Sequence, residues 1–283
     1  MKFVVKALDL LVASNVYVSF GALLLTWVSL DIRHIRHSEL LGFVFFSTIF
    51  IYNFIRLIRV HPMLIEGNSA RHEIIFRYSV FLWILCFVSC LSACYFFRFI
   101  YKSLWMYLLP MAFVSVTYVL PVFKTRLGWI RLRDIPCLKI FLIAFTWAMV
   151  TDGLPALIHD QKLDFLTLIE RFLFILAITI PFDIRDLRFD NTNLRTLPQV
   201  YGVRKTKWIG VFALLIAELI LAYRYFFEGN LNLWGAVAIY LTYEFSALLV
   251  YKSHPKLHER YFTLGVEGMT IFMGLVYFLQ KAL

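Results

Sequence analysis

The sequence predicts an all-α, polytopic membrane protein with about nine transmembrane helices, and three observations predict it. Hydrophobic residues make up 61% of the chain and charged residues only 16%, whereas a soluble domain is roughly one quarter charged. The apolar residues gather in uncharged blocks of about 20, the length a helix needs to cross the hydrocarbon core. The charges gather between the blocks. Inside lipid the backbone polar groups have to be satisfied within each segment, so such blocks are helices.

Taken in order, the first block, 10–30, has the length of a secretory signal. It lacks a small-residue cleavage pattern and further spans follow it, so it reads as a retained helix. The remaining blocks fall near 40–56, 76–97, 103–122, 138–158, 166–182, 208–227, 231–251 and 261–281. Neither a low-complexity run nor a soluble stretch long enough to fold alone separates them. Residues 1–283 therefore read as one intramembrane helical domain. Cys86, Cys90 and Cys94 recur at i, i+4 and i+8 in the third block. No His or acid lies beside them in that span, so they read as small buried hydrophobes, and no disulfide framework is implied.

The chain carries a formal charge of +10. No Gly-rich, RNP-like or zinc-finger pattern accompanies that charge, so it implies anionic lipid at the bilayer surface and not nucleic acid. With nine crossings, 20 of the 28 Lys and Arg residues fall on the side that holds the N-terminus. The positive-inside rule makes that side cytoplasmic and puts the C-terminus outside.

Against this background the stretch PFDIRDLRFDNTNLRTLP, residues 181–198, is the most charged passage of the chain. Asp183, Asp186 and Asp190 stand at i, i+3 and i+7, which on a helix puts them within about 60° of one another. Three carboxylates on one stripe repel one another unless a cation sits between them. Hard oxygen ligands at a cytoplasmic surface suit Mg²⁺. On that helix Arg185 and Arg188 are directed away from the acid stripe; the plainer alternative is a solvated loop whose Asp–Arg alternation forms surface pairs.

Asp186 and Asp190 as D-x-x-x-D, followed by Thr196, Leu197 and Gly202 as T-L-x-x-x-x-G, resemble the second aspartate-rich motif of the UbiA-type intramembrane prenyltransferases. The resemblance implies a nine-helix UbiA-like bundle with its acidic motifs on the cytoplasmic side. It also implies transfer of a prenyl group from an isoprenyl diphosphate to a lipophilic acceptor, often an aromatic ring. Asp183, Asp186 and Asp190 would hold Mg²⁺, which neutralises the leaving diphosphate, and an aromatic, water-poor pocket would shelter the carbocation.

The first motif of that family, N-D-x-x-D-x-x-x-D, is matched only by Asn53. Phe54, Leu57 and His61 stand at its acidic positions. Arg56, one turn from Asn53, has the planar fork that grips a phosphate directly; the alternative is an ordinary positive-inside arginine. Family members also carry a Y-x-x-x-K element after helix four. Tyr118 and Lys124 stand there with a longer spacing, followed by Arg126, Arg131 and Arg133. The expected diphosphate-binding set is thus Asn53, Arg56, Lys124 and Asp183. A non-catalytic descendant that binds an isoprenoid lipid or a partner is the second reading, and the missing first-motif acids are its support.

Other polar groups match no motif. His159, Asp160 and Asp164 lack metal-ligand spacing and read as a solvated loop. Pro255 interrupts any helix that would bring His254 and His258 together. Glu218, Glu244 and Glu267 lie in or near the last three spans, where a charge normally faces protein.

Overall fold

The computed structural model of the chain describes residues 10–63, 78–125, 128–158, 162–188, 195–229 and 231–281. The apolar blocks become helices in the expected order. Helix α1 (Val16–Ile32) is followed by α2 (Ser38–Met63) and by α3 (Ser79–Val119). A small antiparallel hairpin, β1 (Phe123–Thr125) and β2 (Gly128–Ile130), sets Lys124 opposite Trp129. Helix α4 (Leu138–Ala148) leads through a π-helical turn, Met149–Gly153, into the short α5 (Leu154–Leu157). Then come α6 (Phe165–Asp186), α7 (Leu197–Tyr223), α8 (Leu233–Lys252) and α9 (Met269–Leu279).

Seven helical stretches among the described residues are long and apolar enough to cross a membrane. Helix α1 and the stretch Leu104–Val119 are apolar but shorter. The third and fourth blocks are joined as the helical run α3. If that run were straight, Cys86 and Tyr118 would stand about 48 Å apart, at 1.5 Å per residue. Yet the Cys86 thiol reaches the Phe50 carbonyl at 3.8 Å, and Tyr118 lies within the electrostatic reach of Tyr52, two residues from Phe50. The two stretches therefore double back on one another.

Residues that punctuate helices explain several boundaries. Asp164, expected in a solvated loop, caps α6 by accepting the Leu166 N–H at 2.9 Å. His159 and Asp160 lie outside the described residues. Pro155 has no N–H to give, and the π-helical turn directly before it absorbs the break in the hydrogen-bond ladder. The four cysteines are free thiols.

Helix α6 lies at the heart of the bundle, against α4, α7 and α8. Its Phe174, Ile180 and Ile184 are fully buried. In lipid, apolar burial does not by itself draw helices together, so close approach of small residues has to contribute. Gly210 of α7 provides it: a Cβ there would meet Val250 of α8 at 2.8 Å and Ile180 of α6 at 3.2 Å. By contrast, Phe226, Phe227 and Trp234 stand more than 60% exposed, as side chains that face acyl chains do.

The bundle has two polar ends. The start of α1 and the ends of α2 and α6 share one of them. The hydrogen bond from Asn15 to Asn53 and the ion pair between Arg185 and Glu259 tie that end together. At the other end lie the end of α1, the start of α6 and the end of α7, joined by Arg33–Asp152 and Arg224–Glu170.

Candidate functional site

The acid stripe forms where α6 ends. Asp183 is only 2% exposed, and a carboxylate that deep needs a counter-charge. Lys139, in the first turn of α4, supplies it: its Nζ donates to Asp183 Oδ1 at 2.8 Å and lies 3.7 Å from Asp186. The cation demanded by the spacing of the carboxylates is thus an ammonium from 44 residues away. Arg185 does not turn from the stripe as expected. Its Nε donates to Asp186 at 2.9 Å and its Nη1 to Glu259 at 2.9 Å, while the guanidinium lies over the rings of Phe182 and Phe262. Asp190 lies outside the described residues.

The segments around this cluster are held by local chemistry. Cys137, with φ 60, donates its N–H to the Arg195 carbonyl at 3.2 Å and so fastens the start of α4 to the segment that enters α7. Burial, then the nearby Asp183 charge, pushes the Cys137 thiol up. Thr196 opens α7: its N–H donates to the Gln199 side-chain carbonyl at 3.0 Å and its own carbonyl accepts the Gln199 N–H at 3.0 Å, while Leu197 is buried. Gly202 has φ 76 and ψ 156, a non-helical conformation that kinks α7. That region of backbone space is essentially restricted to glycine. The T-L-x-x-x-x-G pattern is therefore a cap, a core contact and a kink.

On the adjoining side, Tyr118 has the Arg133 guanidinium 6.0 Å from its ring centre and feels the charges of Lys139 and Asp183. Arg131 and Asp134 close a bidentate pair at 2.9 and 3.0 Å. Partial burial of Asp134 works against ionisation, but its bonds to Arg131 outweigh that and hold the carboxyl below its ordinary value. Lys124 stands exposed on the hairpin. Further inside, Trp147 Nε1 donates to the Tyr52 hydroxyl at 3.0 Å. The electrostatic surroundings of Tyr52 also include Arg56, Tyr118 and Glu267.

Asn53 and Arg56 reach the same end of the bundle but serve α1. Asn53 is fully buried; it donates to the Ser14 and Ile49 carbonyls and accepts from Asn15 at 2.9 Å. Arg56 donates to the Ala13 carbonyl at 2.5 Å and to Asn15 Oδ1 at 2.7 Å. Together they fix the left-handed turn at Asn15 (φ 58) from which α1 starts. Of the degenerate motif positions, Leu57 packs with Leu82, Cys86 and Phe50, and Phe54 stacks on Phe50. The side chain of His61 lies outside the described residues.

Among the described residues no three His, Cys, Asp or Glu side chains converge as a metal-holding group. Asp183 and Asp186 already share Lys139, and Asp186 also engages Arg185. A divalent ion on this stripe would have to displace the ammonium, so the described donor set does not by itself fit Mg²⁺.

Lys139 is the residue that sequence reading missed. The available signal was a single ammonium at the start of a largely apolar block, and an ionisable group within a span usually pairs inside the protein. Comparison of the chain with family models, with curated proteins and with solved structures finds no match to any of them.

Proposed function

We propose that the chain handles an isoprenyl diphosphate at the carboxylate end of the bundle and transfers its prenyl group to a lipophilic acceptor drawn from the bilayer. The observation that carries this reading is the Lys139–Asp183–Asp186 cluster, held against Tyr118 and the basic segment at Arg131 and Arg133. The ammonium has three N–H donors and spends one hydrogen bond on Asp183. Its remaining capacity, with the neighbouring arginines, suits a diphosphate. In the transfer the allylic C–O bond breaks and its electron pair leaves with the diphosphate. The acceptor's electron pair then captures the carbon, and the acceptor's proton leaves to the diphosphate. Tyr118, Tyr52 and Trp147 supply π-faces for the transient cation. Mg²⁺ at Asp183, Asp186 and Asp190 remains part of the proposal only as an ion that displaces Lys139, and no step here runs through it.

The matching topology is nine crossings in a UbiA-like bundle, N-terminus and acid cluster inside and C-terminus outside. Of the eight basic residues on the opposite side, Arg33, Arg171 and Arg224 are buried or nearly so. They are bound up in the protein, which sharpens the exposed charge asymmetry.

A second reading, a non-catalytic protein that binds an isoprenoid lipid or a partner, draws on one set of observations. Asn53 and Arg56 are engaged with the start of α1, and Leu57 belongs to an apolar cluster. Purified protein in detergent, given a series of allylic diphosphates with and without Mg²⁺, separates the two. Pyrophosphate release that scales with protein supports transfer chemistry. Binding without release favours the second reading, and absence of both contradicts each.

A further inference from the structure

The far end of the bundle holds a charged chamber that the proposed reaction does not use. Along α6, Arg171 lies 12 residues before Asp183, about 18 Å at helical rise. Asp152, carried inward on the π-helical turn, pairs with Arg33 at 2.9 and 3.1 Å and accepts from Ser29 and Thr167 at 2.8 Å each. Glu170 accepts from Arg224 at 2.6 Å and from the Tyr243 hydroxyl at 2.7 Å. These groups surround a cavity of about 20 Å³, room for about one water-sized particle.

Three guanidiniums here face two buried carboxylates, and Glu228 is the third acid, but the direct contacts are shared unevenly. Asp152 is matched by Arg33, and Glu170 by Arg224. Arg171 is 8% exposed, and its partners are the Ser29 hydroxyl at 3.1 Å and the Met273 thioether at 3.4 Å. Among the described residues no carboxylate lies within 4 Å of it. Arg224 Nε is buried without a hydrogen-bond acceptor; Glu228, 25% exposed, stands 3.6 Å away. A guanidinium cannot shed its proton as a buried lysine can. A buried charge without a counter-charge is costly.

We propose that this cavity binds one small monovalent anion of chloride size, held by Arg171 together with the Ser29 hydroxyl and the edge of Arg224. The cavity is too small for a phosphate ester or a lipid headgroup. The anion gives Arg171 the direct ionic contact it lacks where α1, α6, α7 and α8 meet, so it acts as a structural ion of the bundle.

Thermal unfolding of the whole protein in detergent, with chloride exchanged for gluconate at constant ionic strength, tests this. The Tm rises with chloride, by about 5 °C at about a hundred-fold excess over Kd. In Arg171→Gln the chloride-dependent part of the rise is lost. An equal Tm in chloride and gluconate, or an undiminished chloride effect in Arg171→Gln, overturns the proposal. If Arg171→Gln does not fold, crystals of the wild-type protein soaked in bromide decide: an anomalous peak between Arg171 and Arg224 supports the site, and its absence overturns it.

Discussion

Lys139 Nζ sits 2.8 Å from Asp183 Oδ1 and joins the first turn of α4 to the last turn of α6. Asp183 is almost fully buried and the lysine is 28% exposed, so the pair is only partly screened by water. Lys139→Met leaves Asp183 buried without its ion-pair partner, beside the Arg185 charge, and is expected to destabilise the protein by about 2–4 kcal/mol, below the full cost of breaking a fully buried pair. Lys139→Met with Asp183→Leu should recover most of that loss, because neither charge then remains. Thermal unfolding of both single variants and the double variant measures the coupling; additive losses would mean that the two side chains do not stabilise one another.

Arg56 presents a different balance. Its guanidinium holds the Ala13 carbonyl and Asn15, and through them the start of α1. Arg56→Ala should therefore lower the Tm and expose the N-terminal turn to proteolysis. Arg56→Lys keeps the charge but loses the planar fork and should fall between the two. If Arg56→Ala lowers affinity for an isoprenyl diphosphate with the Tm unchanged, its role lies with the ligand and not with α1.

Gly202 carries a backbone constraint without a packing one. A Cβ there would meet nothing within 4 Å, yet φ 76 with ψ 156 is strained for any other residue. Gly202→Ala is expected to cost about 1–3 kcal/mol. It should also disturb the segment that carries Thr196 toward the acid cluster. An unchanged unfolding midpoint would show that the kink is not required.

The orientation is open to chemical labelling. A cysteine introduced near Asp160 should react with an impermeant thiol reagent added outside intact cells, and one near Asn193 should not. The reverse pattern would put the acid cluster on the wrong side of the membrane.

The helical segments were legible because each is a largely apolar run with few charges and of about the right length, and the acid stripe because i, i+3, i+7 spacing is local. Lys139 was not, since its partnership with Asp183 joins residues 44 apart through the packing of α4 on α6. Arg33, Arg171 and Arg224 read as topology signals at the ends of spans, because sequence position alone cannot tell a guanidinium turned into the bundle from one turned to water. Asn53 was singled out by a motif, and its buried bonds to Ser14, Ile49 and Asn15 give it a structural role that no local pattern announces. The doubling back within α3 was anticipated as two separate blocks, although no Gly or Pro marks the turn between them.

The central claim is that the end of α6 is where a diphosphate binds. The most direct measurement is the affinity of a non-reacting isoprenyl diphosphate analogue, read by calorimetry in detergent across a Mg²⁺ titration. Wild-type protein is compared with Lys139→Gln, Asp186→Asn and Asp190→Asn. Asp186 is a quarter exposed and paired mainly with its neighbour Arg185, so its substitution should change stability by less than about 1 kcal/mol. The account predicts that Lys139→Gln weakens binding at every Mg²⁺ concentration. It also predicts that the two Asp→Asn variants lose whatever part of the affinity Mg²⁺ adds. Affinity equal to wild type in all three variants, each shown to be folded, would contradict it.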